Sequence, residues 1–270
     1  MLFEIWDSLP FRYFRAAFVI SILIYALFVE PFNLQVTENT FDLFADDGST
    51  ITIVLIADLH DSYNNPEYLQ YVIGTVNSQE PDLILIGGDN VEGIGGDWEK
   101  FRSLQQLKSR HGSYAVMGNH DYSSCPDRIE YEFESMGVEV LRNEYRILEM
   151  EGRDFALIGL EDEWVGRSDY PKAAEGVPDN MTKVILAHNY LSVENETLEG
   201  SNLVLSGHTH CGQVRVPLIT RFLLWLGNFG DAVGGRFTMG ENTEAYITCG
   251  ITPGNIRLFA PPEVSVIYLE

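Results

Sequence analysis

Positive charge is scarce in this sequence. Its 270 residues include 17 basic and 40 acidic side chains, a formal net charge of −23, and only four of the basic residues are lysines: Lys100, Lys108, Lys172 and Lys183. So acidic a surface repels phosphate backbones, which excludes a nucleic-acid-binding protein that works through a basic face; solubility, including in high salt, is what such a charge provides. Cysteine is scarce too. Three residues, Cys125, Cys211 and Cys249, stand at wide spacings with no CxxC pair, and that pattern indicates neither a disulfide framework nor a thiolate zinc site. No internal repeat of fixed period occurs, so nothing points to a repeat array.

What is present is ordinary globular material: 45% apolar and 21% charged residues, enough to build a true core. The length suits one large domain with an appendage. The appendage is N-terminal. Ala16 to Val29, AAFVISILIYALFV, carries no charge, and extension back to Phe11 gives 19 residues broken only by Arg12 and Arg15. At 1.5 Å per residue this is roughly 28 Å of helix, close to a hydrocarbon core if the two arginines snorkel. A single membrane anchor over residues 1–36 is expected, with a cleaved signal peptide or a buried helix as alternatives; no small-x-small cleavage site follows, where YALFVEPF stands. Arg12 and Arg15 precede the span while Glu30, Asp42, Asp46 and Asp47 follow it, so the positive-inside tendency places the domain outside the cytoplasm.

Residues 37–50, TENTFDLFADDGST, read as an acidic connector to a domain over 51–270, because turn formers and carboxylates cluster there. ITIVLIA (51–57) is an unbroken β-branched run of the kind that forms a strand buried on both faces. A helix is predicted from Pro66, capped by Asn65, to about Ser78. DLILIGG (82–88) and SYAVMG (113–118) repeat the strand pattern, with helices near 97–109 and 126–136. This alternation predicts an α/β fold with a helix-covered sheet. Past Gly137 strands dominate, at 145–150, 154–159, 182–187, 202–206, 212–217, 245–249 and 263–268, which suggests a second sheet packed on the first.

The polar residues then fall in telling places. Asp58 and His60 end the first strand, Asp89 the second, and Asn119, His120 and Asp121 the third; His188 ends another strand, and His208 and His210 one more. Five of the six histidines thus sit at carboxyl ends of strands, the edge where α/β sheets bind ligands. Any one of them alone is more often a satisfied structural side chain. Together, imidazole nitrogens and carboxylate oxygens suit zinc, iron or manganese, and four histidines with two aspartates exceed what one tetrahedral metal needs, so two divalent or trivalent ions are expected. Two such ions can share a hydroxide and clamp the oxygens of a phosphoryl group, which makes phosphate-ester hydrolysis the natural chemistry. A non-ligand histidine held by a carboxylate could protonate the leaving oxygen, and the adjacent His120 and Asp121 suit that role.

In this order of motifs (D-x-H, G-D, G-N-H-D, a lone His, G-H-x-H) the sequence resembles the calcineurin-like metallophosphoesterase family from about residue 50 to 270. The resemblance implies a four-layer αββα sandwich with a dimetal site at the strand ends. It also implies the division of ligands: one metal on Asp58, His60, Asp89 and His210, the other on Asp89, Asn119, His188 and His208, with Asp89 bridging and His120 as the catalytic non-ligand. Within the family it is similar to a membrane-anchored branch of phosphodiesterases and UDP-2,3-diacylglucosamine pyrophosphatase-like proteins, through the apolar span, LRNEY (141–145), IGLED (158–162), the GHTHxGQ core and RLFAPPEV (257–264). It departs from that branch at Cys211, where glycine is usual, at Tyr190, where proline is usual, and at Glu161 and Asp162, where an aspartate pair is usual. None of these is an expected ligand, so the departures bear on pocket shape.

The expected activity is therefore cleavage of phosphodiester or pyrophosphate bonds in a small or lipid-linked phosphate compound. A broad phosphomonoesterase or protein phosphatase is the alternative within enzymes, and a noncatalytic metal-holding module the alternative outside them. The apolar run PLITRFLLWLGNF (217–229) reads either as a core helix or as a flap touching a bilayer or an acyl chain.

Overall fold

The computed structural model describes residues 9–44, 48–93, 95–216, 220, 233–240, 242–254 and 256–270. The apolar run 217–229, apart from Thr220, lies outside them. Helix α1 spans Leu9–Phe28. Its 20 residues exceed the run the sequence suggested and give about 30 Å of helix. Ala26 is its buried residue; a core helix would bury a whole stripe, so the buried-helix alternative does not hold. The segment Leu9–Phe32 is long and apolar enough to cross a membrane.

Among the described residues twelve strands follow: β1 (Gln35–Phe41), β2 (Ile51–Ile56), β3 (Leu83–Ile86), β4 (Ser113–Ala115), β5 (Val138–Val140), β6 (Glu144–Met150), β7 (Arg153–Gly159), β8 (Lys183–Leu186), β9 (Asn202–Ser206), β10 (Gly235–Thr238), β11 (Thr243–Ile247) and β12 (Glu263–Leu269). Between them lie α2 (Pro66–Ser78), α3 (Trp98–Arg102), α4 (Asn119–Ser123), α5 (Pro126–Ser135) and α6 (Tyr170–Ala173). They form two six-stranded mixed sheets, in the orders β1-β12-β2-β3-β4-β5 and β10-β11-β9-β8-β7-β6.

Period-2 alternation explains how the layers stack. In β2, Ile53 and Leu55 point between the sheets, where they meet Leu157, Val184, Leu186, Leu203 and Leu205 from the second sheet. Val54 and Ile56 point the other way, under Leu69, Val72, Ile73 and Val76 of α2 and Phe133 of α5. Both faces of these strands are dry, which is why they read as unbroken apolar runs. The outer face of the second sheet is covered by Tyr170 and Ala173 of α6 and by Tyr190 and Val193, a thinner layer than the first sheet carries. The result is a four-layer α/β sandwich. Truncating a side chain such as Leu85, fully buried between the sheets, is expected to cost about 2–5 kcal/mol.

The α2 boundary follows its cap. Asn65 accepts Tyr68 N–H at 2.7 Å and Pro66 occupies the first helical position, which satisfies one orphan donor and presets φ. Three expectations need correction. Residues 37–50 do not form a connector throughout, because 37–41 belong to edge strand β1, paired in parallel with β12; its residues are mostly polar and partly exposed, which hides the strand from an apolar pattern. The strand at 263–269 joins the first sheet, antiparallel to β2, not the second. Residues 212–217 are not a strand: after a 3-10 turn at His210–Gly212, their described part makes one isolated bridge, Val214 with Leu258.

Candidate metal centre

Every expected site residue lies just past the carboxyl end of a strand. Asp58 and His60 follow β2, Asp89 follows β3, Asn119 and His120 open α4 after β4, His188 follows β8, and His208 and His210 follow β9. The site therefore straddles one end of both sheets. The loops are stitched by main-chain bonds, Asp58 N–H to Gly88 O at 2.9 Å and His60 N–H to Asp89 O at 3.0 Å, so the first two motifs share one register. The backbone is strained here. Of eleven described non-glycine residues with positive φ, five are Asp58 (55°), His60 (41°), Asp89 (53°), His208 (70°) and His210 (50°). Each such residue costs on the order of 1–3 kcal/mol and persists where the surroundings over-determine it, as functional sites do. Glycine is required beside them: a Cβ on Gly118 would stand 2.2 Å from Asp89 Oδ1, and one on Gly207 would stand 2.7 Å from Asp58 Oδ2.

Among the described residues four clusters could hold a metal ion, and two of them are built wholly from the expected ligands. Asp58, His60 and His210 offer ligand atoms within 4.8 Å of one another, and so do Asp89, His188 and His208. Asp89 also faces the first group: its Oδ2 is 3.1 Å from His188 Nε2 and 3.8 Å from His60 Nε2. In the second group His188 Nδ1–H donates to Gly87 O at 2.8 Å, which turns Nε2 toward Asp89 and fixes the ring. Asn119 Oδ1 is buried with no hydrogen-bond partner. A buried, unsatisfied oxygen beside two N/O donor groups is costly unless a cation meets it, so the residues present fit divalent metal ions.

The electrostatics reflects how closely these buried groups crowd one another. Burial pushes the Asp58 carboxyl up to about 6. Burial also opposes ionisation of Asp89, but the charge and hydrogen bond of His188 prevail and hold it well below the usual carboxylate range. Reciprocally, burial alone would lower His188, yet Asp89 raises it to about 10. His208 falls to about 3 and His210 well below its ordinary value, in both cases through burial first and neighbouring histidines next. Neutral imidazole is the form that ligates metals. A cavity of about 300 Å³, lined by Asp89, Asn119, His120, Trp164, His208 and Gln213 among others, opens on the group.

Asp121, expected to hold His120, does something else. Its oxygens accept the N–H groups of Asn90, Val91 and Gly118 at 2.8, 3.0 and 3.1 Å, tying the Asp89 loop to the Gly118 turn, and burial pushes its carboxyl up to about 6. A residue adjacent in sequence at a helix start points away from its neighbour. The carboxylate at His120 is Glu92, whose Oε2 is 2.9 Å from His120 Nδ1 and 2.6 Å from His60 Nδ1. Its signal in the sequence is the second acid, three residues after Asp89 in GDNVEG. Trp164, also unanticipated, stands edge-on to His208 with ring centroids 4.4 Å apart.

The cysteines also need correction. Cys211 and Cys249 form a disulfide across 38 residues, with Cα atoms 4.7 Å apart. Three widely spaced cysteines conceal such a pair because only the fold brings β9 and β11 side by side. Cys211 is thus a cross-link beside His210.

Comparison with known proteins agrees with this geometry. The family model for calcineurin-like phosphoesterase matches residues 51–212. The chain is 31% identical over 256 residues to Phosphodiesterase YaeI of Escherichia coli K12, covering 91% of this chain and 92% of that one. It is 28% identical to the metallophosphoesterase YkuE of Bacillus subtilis, covering 91% and 89%. It is also 30% identical to a transmembrane protein with metallophosphoesterase domain from Danio rerio, covering 82% of this chain and 53% of that one. Among solved structures, the NAD nucleotidase NadN of Haemophilus influenzae superposes with a TM-score of 0.51 at 14% identity, over 75% of this chain and 51% of that one, a likeness of fold. The chain belongs to the calcineurin-like phosphoesterase family. It is a metal-dependent phosphoesterase that uses divalent metal ions.

Proposed function

We propose that the chain hydrolyses phosphodiester or pyrophosphate bonds in a small or lipid-linked phosphate compound, at a centre of two metal ions of the manganese, iron or zinc type. One ion is assigned to Asp58, His60, Asp89 and His210, the other to Asp89, Asn119, His188 and His208. The observation that supports this reading is the pair of donor groups, each with ligand atoms within 4.8 Å of one another, that meet where Asp89 of one approaches His60 of the other at 3.8 Å. The donor set of imidazole nitrogens and carboxylate or amide oxygens favours those metals. Similarity to a relative named phosphodiesterase supports the diester over the monoester.

When bound, the ions supply Lewis acidity, bringing the pKa of water towards neutrality and neutralising phosphoryl oxygens. The chain's own residues supply the rest. His120 stands at the cavity rim, and Glu92 on its Nδ1 at 2.9 Å fixes the ring, with Nε2, 4.0 Å from Asp89 Oδ2, the nitrogen that would deliver a proton to the departing oxygen. Asp121 acts one step away, as a positioning residue for the Asp89 and Gly118 loops. Trp164 and Gln213 wall the cavity and so face the substrate's outer groups.

Helix α1 is proposed as a retained, single-pass anchor with the domain outside the cytoplasm. The Cys211–Cys249 disulfide supports that side, because such bonds persist in oxidising compartments. The test of function is metal content and hydrolysis by the purified full chain. Turnover of bis-p-nitrophenyl phosphate is expected to exceed that of p-nitrophenyl phosphate, to vanish with chelator, and to drop in Asn119→Ala and His120→Ala. Unchanged turnover in both variants would overturn the mechanism.

A further inference from the structure

Helix α1 does not end in a flexible tether. Ala26 O accepts Arg257 N–H at 2.9 Å, and the buried Glu30 accepts Ala260 N–H on Oε1 at 2.7 Å. Arg257 is itself fully buried and donates to the carbonyls of Cys249, Thr252 and Ala260 at 3.0, 2.6 and 2.8 Å. Gln35 N–H then reaches Pro262 O at 2.8 Å, and β1 continues along β12. The helix exit is thus bolted to the segment 257–262.

That segment also builds the cavity wall. Leu258 N–H donates to Gln213 O at 2.8 Å and Arg215 N–H to Leu258 O at 2.7 Å, and Gln213 lines the cavity. A single residue step, about 3.8 Å between Cα atoms, separates the residue that holds α1 from the residue that holds the cavity wall. On the same segment stands Phe259, 64% exposed at φ 58°. A bulky side chain in the left-handed region is a genuine outlier, and here the strained backbone turns a phenyl ring outward beside the helix exit. Phe32 is exposed too, so aromatic rings flank both partners of the Glu30–Ala260 bond. Neither ring carries charge on a strongly acidic protein.

We propose that Phe32 and Phe259 form an aromatic collar seated in the headgroup layer of a lipid bilayer, holding the mouth of the metal cavity at the membrane surface. The occupant is the bilayer because the collar is continuous with an apolar helix of membrane-spanning length, and aromatic rings favour that layer. The inference rests on α1 being a membrane anchor. It gives the cavity access to phosphates carried on lipids at headgroup level.

The test places the full chain in vesicles of phosphatidylcholine, with and without bromine on the upper acyl chain, and reads the fluorescence added over wild type by Phe18→Trp, Phe32→Trp, Phe259→Trp and Tyr131→Trp. Phe18 lies within α1, and Tyr131 is exposed on α5. Bromolipid is expected to quench the tryptophans at 18, 32 and 259 at least twofold and to leave the one at 131 unchanged. Quenching at 18 alone overturns the collar and leaves the anchor standing. No quenching at 18 overturns both, and equal quenching at 131 and 259 overturns the collar by removing its selectivity.

Discussion

The two donor groups lie side by side yet are held in different ways. His210 of the first group is followed by Cys211, linked to Cys249; just beyond Cys249, Ile251 and Thr252 donate to the carbonyls of Ala57 and Asp58 at 2.9 and 3.1 Å. A brace, covalent at the disulfide and hydrogen-bonded beyond it, therefore runs from one candidate ligand of that group to the strand end that carries another. Asp89, His188 and His208 have no such brace. They rely on close glycine packing, on the His188–Gly87 bond and on His208 N–H reaching the Asp58 carboxylate at 3.1 Å. One group is set by a bond that reductant can break, the other by packing that it cannot.

Four expected outcomes sharpen this contrast. Asp89→Asn should have the largest effect, since Asp89 is proposed to serve both groups: losing several kcal/mol of charge stabilisation lowers kcat/KM by roughly a thousandfold or more, with metal content reduced at both groups. Steady-state kinetics and elemental analysis check it. Glu92→Gln is expected to lower kcat by about 10–100-fold, because Glu92 sets the rings of both His60 and His120; stopped or continuous assays of diester turnover read the loss, and KM should move little. Reduction of the disulfide, or Cys211→Ser, should cost about 2–4 kcal/mol of stability, seen as a lower denaturant midpoint, and should weaken metal binding at the first group more than at the second. Asn65→Ala should cost about 1 kcal/mol through its lost cap without touching kcat, a control for stability effects remote from the metals.

Much of this was legible in the residues. Ile51–Ile56 and Leu83–Ile86 show as strands because both of their faces are dry, and the histidines that follow strand ends mark the site because sheets bind ligands there. The unread parts share a cause: they depend on partners far along the chain. Strand β1, QVTENTF, is polar and half exposed and becomes a strand only by pairing with β12, 228 residues further on in register from Gln35 to Glu263. Strand β12 itself gives no hint of which sheet it joins, since register and neighbours are tertiary facts. The disulfide and the Glu92 contact with two rings are likewise products of folding, while adjacency in sequence misdirected the expectation for Asp121.

The central claim is that two metal ions sit in two separable groups. Metal equivalents per chain, measured by elemental analysis after manganese loading and removal of free ion, test it directly in wild type and in Asp58→Ala. Two equivalents in wild type falling to one in the variant is the predicted result. A single equivalent in wild type, or loss of all metal on changing Asp58 alone, would contradict it.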